Sequence, residues 1–548
     1  MKTSIETVSP SGRFALAGER PWPVIVLWIL AVTAFMSLKA LLHGNMGSVN
    51  EVDNLPFARQ FAEPGWIPGD WRLSQPPGYR LAFVALVGWM VPPWGFLAAS
   101  LIGRLVSYAL IAWGLVLIAR RLGISLPSLL LAVGLFLYLT PKQGVAAQEW
   151  IIGGVEPKSV AYGLLLLAIG LMLSGQFRWT ALLLGMAVSF HVLVGGWAAL
   201  VAFLWLLMRG RARLRDWRYA ASLLLLFLIG ASLVVQPGVQ EFFAPAPPGP
   251  VSPSYVHAFI RAPHHLNPLS WRSDWWLRPL LYLLALLICV GFLRSAPRSK
   301  GLKIERAARM GLAQFTFLAL VPFALGLLIA PFDEEGRFLQ YYPFRLGDVM
   351  LPLNTCLFFM CVLEEAFSGS SQRWLMTAGL FLIGVACTIQ ALDFRRQILA
   401  LRDFPGEEQG ADPHWKDLCA WVRVHTPPHA LFLSPPASLD SFNWLAERAT
   451  VAKFKLLAPN QAGVTEWYTR LSDLSGDINP WPPAPVKGDH RKEIREALDR
   501  GYARLSSARA TALMQKYRAD FLVTSTDHRV ELPVTYHNSR YMIYGLNP

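Results

Sequence analysis

Charge and pairable cysteine are what this sequence has little of. Only 16% of its 548 residues are charged, against a hydrophobic fraction of 54% and a mean hydropathy of +0.37. Soluble domains carry about 25% charged residues, so an ordinary soluble domain is excluded. Of five cysteines, Cys289, Cys356, Cys361 and Cys387 lie inside apolar runs and Cys419 stands alone in a polar tail. That arrangement excludes a disulfide-stapled exported domain. The tail also holds no glycine-rich phosphate loop and no internal repeat, which leaves a nucleotide-fuelled reaction without support. Acidic residues are outnumbered, 36 against 50 lysines and arginines, for a formal charge of +14. The basic surplus falls largely in short loops between apolar runs, where membrane orientation accounts for it, and nucleic acid is excluded as a partner.

What is present is a series of apolar runs near the length that crosses a bilayer. Lys2, Arg13 and Arg20 precede the first, 22–42, which is longer than a signal-peptide core and reads as a retained helix entered from the cytoplasm. Residues 81–91 are short for a span and end at Pro92-Pro93, which suits a helix in the outer interface. The runs 94–118, 126–140 and 160–174 follow. The stretch 181–207 is too long for one helix and carries HVLVGG in its middle, so it divides into two short spans meeting near His191 and Gly195-Gly196. The basic RGRARLRDWR at 209–218 anchors the inside. Runs at 219–235, 277–293, 310–330, 349–366 and 375–392 complete about eleven spans, amino terminus in and carboxy terminus out.

The last 150 or so residues are of another composition. Short β-prone runs at 430–434, 450–454, 521–525, 533–537 and 541–545 alternate with helical stretches at 413–424 and 488–516. The expected architecture is therefore mainly α: a polytopic helical membrane domain, 1–394, followed by an extracytoplasmic α/β domain, 395–548.

Between the first two apolar helices lies an acidic, aromatic loop, 43–80, longer than a hairpin connection requires. Glu51 and Asp53 stand near its start. A carboxylate beside a like-charged neighbour at a membrane surface has its pKa raised, which suits a general base, whereas a solvated acidic loop gives the same pattern without chemistry. The second outer loop adds Glu149, Glu156 and Lys158, and Glu156 just before Pro157-Lys158 also suits the start of a helix. The third brings His257, His264 and His265 near Asp274. Adjacent histidines in a proline-rich loop lack the fixed spacing of a helical metal site, so no metal ligands are assigned, while a divalent cation (Mg or Mn) stays open as a cofactor. All eleven histidines map to the outer loops, helix tips or tail.

The order of these parts, with one span, an outer loop opening on an acidic cluster (NEVDNLPFA), interfacial helices, many further spans and an outer carboxy-terminal domain, resembles the glycosyltransferase C superfamily. The resemblance implies a membrane enzyme that moves a sugar from a polyprenyl-phosphate donor to a glycan, lipid or protein acceptor, in the inner membrane of a cell envelope and on its outer face. It implies an inverting displacement in which Glu51 or Asp53 takes the acceptor's proton. Members often begin this loop with Asp-Glu, and here the first of the two positions is Asn50.

A departing lipid phosphate needs cationic partners, and arginine's planar fork suits its oxygens. Arg104, inside an apolar span where an unpaired charge costs at least roughly 2.5–3.5 kcal/mol, and Arg345 in YYPFRLGD are the candidates. Ion pairing within the bundle is the structural alternative for Arg104, and a local pair with Asp348 that for Arg345. Glu156, His191, His264, His265 and Tyr342 are assigned to substrate. A transporter or flippase would share the broken helices, and a non-catalytic scaffold of an envelope glycan machine would share the architecture.

Overall fold

The computed structural model describes residues 22–42, 50–139, 142–244, 248–295, 303–367, 370–400, 412–483 and 488–546. The basic segment 1–21, His43 with 44–49, and 401–411 lie outside the described residues.

Among these residues eight helices are long and apolar enough to cross a membrane, and four apolar helices are shorter. The chain starts with α1 (Trp22–Ala40), α2 (Glu51–Ala62), α3 (Leu81–Gly88) and α4 (Val91–Leu122). Gly95, at φ +75°, breaks α4 just after Pro92-Pro93 and Trp94, so the interfacial segment and the span meet at a bend only glycine enters without strain. Next come α5 (Leu126–Leu139), α6 (Pro157–Leu173), α7 (Phe177–Phe190) and α8 (Val192–Arg209). The α7/α8 break falls on His191, whose backbone is extended at φ −152°, and Gly195 lies within α8, where its missing Cβ lets α8 close on Val188. The helices Trp217–Phe243, Ser273–Ser295, Lys303–Ile329, Arg345–Ala366 and Ser370–Ala400 follow. With α5, α6 and α7, the eight long helices make the eleven the apolar runs lead one to expect. The helix Arg345–Ala366 is the most enclosed and runs through the core of the bundle.

The carboxy-terminal region is a three-layer α/β domain. Its strands β1 (Leu431–Leu433), β2 (Ala449–Thr450), β3 (Phe521–Ser525), β4 (Val534–His537) and β5 (Tyr541–Gly545) form one sheet in the order β2-β1-β3-β5-β4. The first three are parallel and β5 and β4 antiparallel. Pro413–His425 covers one face around Trp415 and Phe432, while Gln461–Leu474, Arg491–Tyr502 and Ser507–Tyr517 cover the other around Trp467 and Leu498. Two expectations change here. The stretch 488–516 is two helices, and the helix Ser370–Ala400 runs through the anticipated boundary at 394/395.

This domain is seated on the loops of the membrane domain. Asp70, fully buried, accepts hydrogen bonds from the Leu73 amide, the Asn443 side chain and the Thr450 amide at 2.8–3.0 Å. Trp66 donates to Glu447, and the rings of Phe96 and Trp444 lie 4.2 Å apart. The described part of that loop, 50–80, and the carboxy-terminal domain therefore share one face of the molecule.

Candidate functional site

Two ion-pair systems start from α2. Glu51 is closed off: Arg104 holds it with Nε and Nη2 at 2.9 and 3.0 Å, and Ser100 and the Val155 amide donate at 2.9 and 2.7 Å. The third arginine nitrogen donates to the Leu41 carbonyl, and neither side chain is exposed at all. This is the ion pair within the bundle that the position of Arg104 allows, and it ties α2, α4 and the second loop together.

Asp53 faces the other way. Its two oxygens meet Arg72 Nη2 at 2.6 Å and Arg80 Nη1 at 3.0 Å. Burial pushes this carboxyl up, but the two guanidiniums outweigh burial and hold it below the usual carboxylate range. Arg72 is 3% exposed and lies over the Phe57 ring, yet its Nε and Nη1 have no acceptor.

The second loop is folded around acceptors rather than left as a connection. Asp348 takes the amides of Ala146, Ala147 and Glu149 at 2.7–3.0 Å, so it pairs with this turn and not with Arg345. Arg345 instead reaches Glu149 at 2.7 Å and His191 Nε2 at 2.9 Å, and lies 3.9 Å over the Tyr342 ring. Burial raises Glu149, but Arg345, Lys158 and His265 bring it far below its usual range. Glu156 precedes α6 without capping it through its side chain. Its Oε2 is 3.4 Å from Lys158 Nζ and its Oε1, buried, has no partner. Burial raises its pKa, with Lys158, Asn50 and Lys455 pulling in the opposite sense.

The third loop closes the chamber. Arg261 donates to the Lys455 carbonyl at 3.0 Å and leaves its Nε unpaired; His264 Nε2 meets Arg491 at 3.1 Å. His265 stacks against His264 with ring centroids 3.8 Å apart and approaches Glu149 at 3.7 Å. Desolvation moves His257 down to about 4 and His265 to about 3, so both are neutral at ordinary pH. From the carboxy-terminal domain Lys455 donates to Asn50 at 2.9 Å, and Asp440 carries an unpaired buried oxygen.

Ion pairs, hydrogen bonds and ring contacts thus gather Glu156, His191, His264, His265, Tyr342, Arg345 and Asp53 into one polar cluster between the outer loops and the carboxy-terminal domain, with Glu51 and Arg104 enclosed beside it. Sequence reasoning missed Arg72, Arg80, Arg261, Asp440 and Lys455. A signal existed for two of them, since Arg72 and Arg80 are basic residues among acids and tryptophans in the loop already singled out; Asp440 and Lys455 carry none. Among the described residues no three His, Cys, Asp or Glu side chains converge as metal ligands. Asp53 and Glu149 are already neutralised by guanidinium and ammonium groups, a donor set that does not fit a divalent cation.

Residues 413–474, the first part of the carboxy-terminal domain, match a family model described as a domain of unknown function (DUF6798). No curated protein matches the sequence. Among solved structures, the chain is similar to the crystal structure of ArnT from Cupriavidus metallidurans in the apo state, at 13% identity and a TM-score of 0.47, over 96% of this chain and 97% of that one. It is also similar to cryo-EM structures of the arabinofuranosyltransferase AftD from Mycobacteria, at 15% and 14% identity with TM-scores of 0.48. There it spans 42% and 41% of the longer chain.

Proposed function

We propose that this protein is a membrane glycosyltransferase of the glycosyltransferase C kind. It moves a sugar from a polyprenyl phosphate to an acceptor hydroxyl at the face of the membrane carrying the loops and the carboxy-terminal domain. One observation carries this reading. In this polar cluster Arg72 and Arg261 keep buried N–H donors without acceptors, and Glu156 and Asp440 keep buried carboxylate oxygens without donors. Each unsatisfied group costs roughly 1–3 kcal/mol. A ligand that satisfies both sets has an anionic end and hydroxyl groups, which is the chemistry of a sugar on a phosphate.

The chemistry follows from these placements. Arg72, Arg80 and Arg261 hold the donor phosphate, Asp53 keeping the first two aligned. A carboxylate takes the acceptor proton, the freed oxygen attacks the anomeric carbon with inversion, and the electron pair of the broken carbon–oxygen bond leaves on the phosphate. Arginines favour the extra negative charge that develops there, so no nucleotide is needed. Beside the chamber α3 and the bend after it expose Leu86, Trp89 and Trp94 where an isoprenoid tail can lie along the bilayer. Arg209, Arg211 and Arg213 stand at the opposite end of α8 from His191, which supports an orientation with that end in the cytoplasm and the chamber outside. The site is then periplasmic in an inner membrane.

The test is sugar transfer by purified protein in nanodiscs, with short-chain polyprenyl-phosphate arabinose, mannose and glucose as donors. Wild type is expected to release polyprenyl phosphate, and Arg72→Ala to lose about 10-fold to 100-fold in donor affinity. No turnover with any donor, together with transbilayer movement of the lipid, would make it a flippase instead.

A further inference from the structure

We infer that Glu156, rather than either acid of the first loop, takes the acceptor's proton, and that Lys455, reaching in from the carboxy-terminal domain, orients and charges it through Asn50. The inference rests on the sugar-transfer reading above and names the group that does its proton chemistry.

The first-loop acids are already committed. Glu51 accepts four hydrogen bonds and is enclosed, with the bare backbone of Gly154 against its carboxylate. Asp53 has one guanidinium on each oxygen. The two guanidiniums take basicity from Asp53, and Glu51 is too enclosed to admit an acceptor hydroxyl. Glu156 keeps an open oxygen, because its Oε1 is buried without a partner while its other oxygen lies 3.4 Å from Lys158 Nζ.

The surroundings fit the role. The Asn50 side chain lies beside two charged groups: its carbonyl oxygen accepts from Lys455 Nζ at 2.9 Å, and it favours the ionised Glu156 carboxylate. The Lys455 bond fixes the orientation of Asn50 near Glu156. The charged groups facing Glu156 come from three further elements: Lys158 on α6, Arg104 on α4 and Lys455 on the carboxy-terminal domain. Lys158 is shared with Glu149. Lys455 itself is felt by Arg261, Asp440, Glu156 and Asp53, and burial with the nearby Arg261 brings it down to about 8. Lys455 meets Arg261 through its carbonyl and Asn50 through its ammonium, and so links the two sides of the cluster.

In the step itself the acceptor O–H bond breaks, its proton goes to Glu156 Oε1, and the oxygen forms the new bond to the anomeric carbon as the phosphate departs with its electron pair. The carboxy-terminal domain is then part of the reaction chamber.

The experiment compares wild type, Glu156→Gln, Glu156→Asp, Lys455→Met and Lys455→Arg in nanodiscs, with decaprenyl-phosphate arabinose, mannose and glucose as donors. It follows transfer rate against pH, binding of fluorescent decaprenyl phosphate, and thermal unfolding. Glu156→Gln is expected to lower transfer by about 10²–10⁴ while still binding decaprenyl phosphate, with Glu156→Asp recovering part of the rate. Lys455 favours the ionised Glu156, so Lys455→Met raises the carboxyl's proton affinity and moves the acid limb of the pH–rate profile to higher pH, by roughly one unit. Lys455→Arg leaves the limb in place. Transfer by Glu156→Gln within a few-fold of a wild type that is active, or a limb unmoved by Lys455→Met, overturns the inference and leaves the sugar-transfer reading standing. No transfer by wild type with any donor overturns both.

Discussion

Glu51 and Asp53 leave the same helix two residues apart and each meets an arginine, yet one pair is a joint and the other is a socket. Glu51 accepts four hydrogen bonds from groups that hold elements together, namely Arg104, Ser100 and the Val155 amide. Asp53 is equally well paired, but its partner Arg72 is left with two buried donors facing no acceptor. Buried polar groups in folded proteins are nearly always satisfied, so where the accounting closes the residues serve the fold, and where it stays open the group is available to a water, an ion or a ligand. Ion pairing alone does not tell the two apart. The remaining capacity of the arginine does.

The largest expected effect lies on the closed side. Glu51→Ala or Arg104→Met leaves its partner as an uncompensated buried charge and costs about 3–5 kcal/mol, whereas replacing both with apolar residues restores most of the loss. Thermal unfolding in nanodiscs measures both, and a single variant as stable as wild type would break the contrast. Next is the open side, where Arg72→Ala lowers affinity for decaprenyl phosphate about 10-fold to 100-fold while its melting temperature moves far less than that of Arg104→Met. Equal losses of stability at the two arginines would make Arg72 another joint.

A smaller effect comes with pH. Burial and the neighbouring Arg261 and Arg80 favour neutral His257, bringing it from the ordinary value of 6.5 to about 4. The sign follows from proton uptake: below pH 6.5 the unfolded chain binds a proton that the folded one refuses, so stability is complete above 6.5 and falls as pH drops toward 4. The loss is roughly 1–3 kcal/mol, and His257→Gln flattens the curve over that window. The smallest effect is at the rim, where Glu447→Gln weakens the contacts with Trp66 and Arg59 and costs about 0.5–1 kcal/mol. A larger cost would show that the two domains dock through the rim and not chiefly through Asp70.

Much of the fold was legible in the chain order of the residues. Four of the five short β-prone runs became strands of one sheet, the run 450–454 contributes only Thr450 to β2, and the break expected near His191 falls on that residue. These are local signals: apolar length, alternation and the turn residues between them. The helix Gln461–Leu474 was missed although Asn460 caps it and Val464, Trp467, Leu471 and Leu474 repeat at helical spacing. Its mean polarity concealed a one-sided pattern. The candidate site was legible only in part. Arg345 was singled out as a candidate for the donor phosphate, with a local Asp348 pair as the alternative, but its partner is Glu149, 196 positions away, and no local pattern gives that pairing.

The sequence by itself determined the material and the order of the parts: a bundle of apolar helices, polar loops rich in acids, histidines and tryptophans, and an α/β tail. Periodicity and composition carry that information because each element's solvent acts on a few consecutive residues. Only the tertiary structure decided that Glu51 is enclosed while Arg72 keeps free donors, and that Lys455 of the tail meets Asn50 of the first loop. Satisfaction of a buried charge depends on groups brought together from distant positions, so it exists only once the domains are packed.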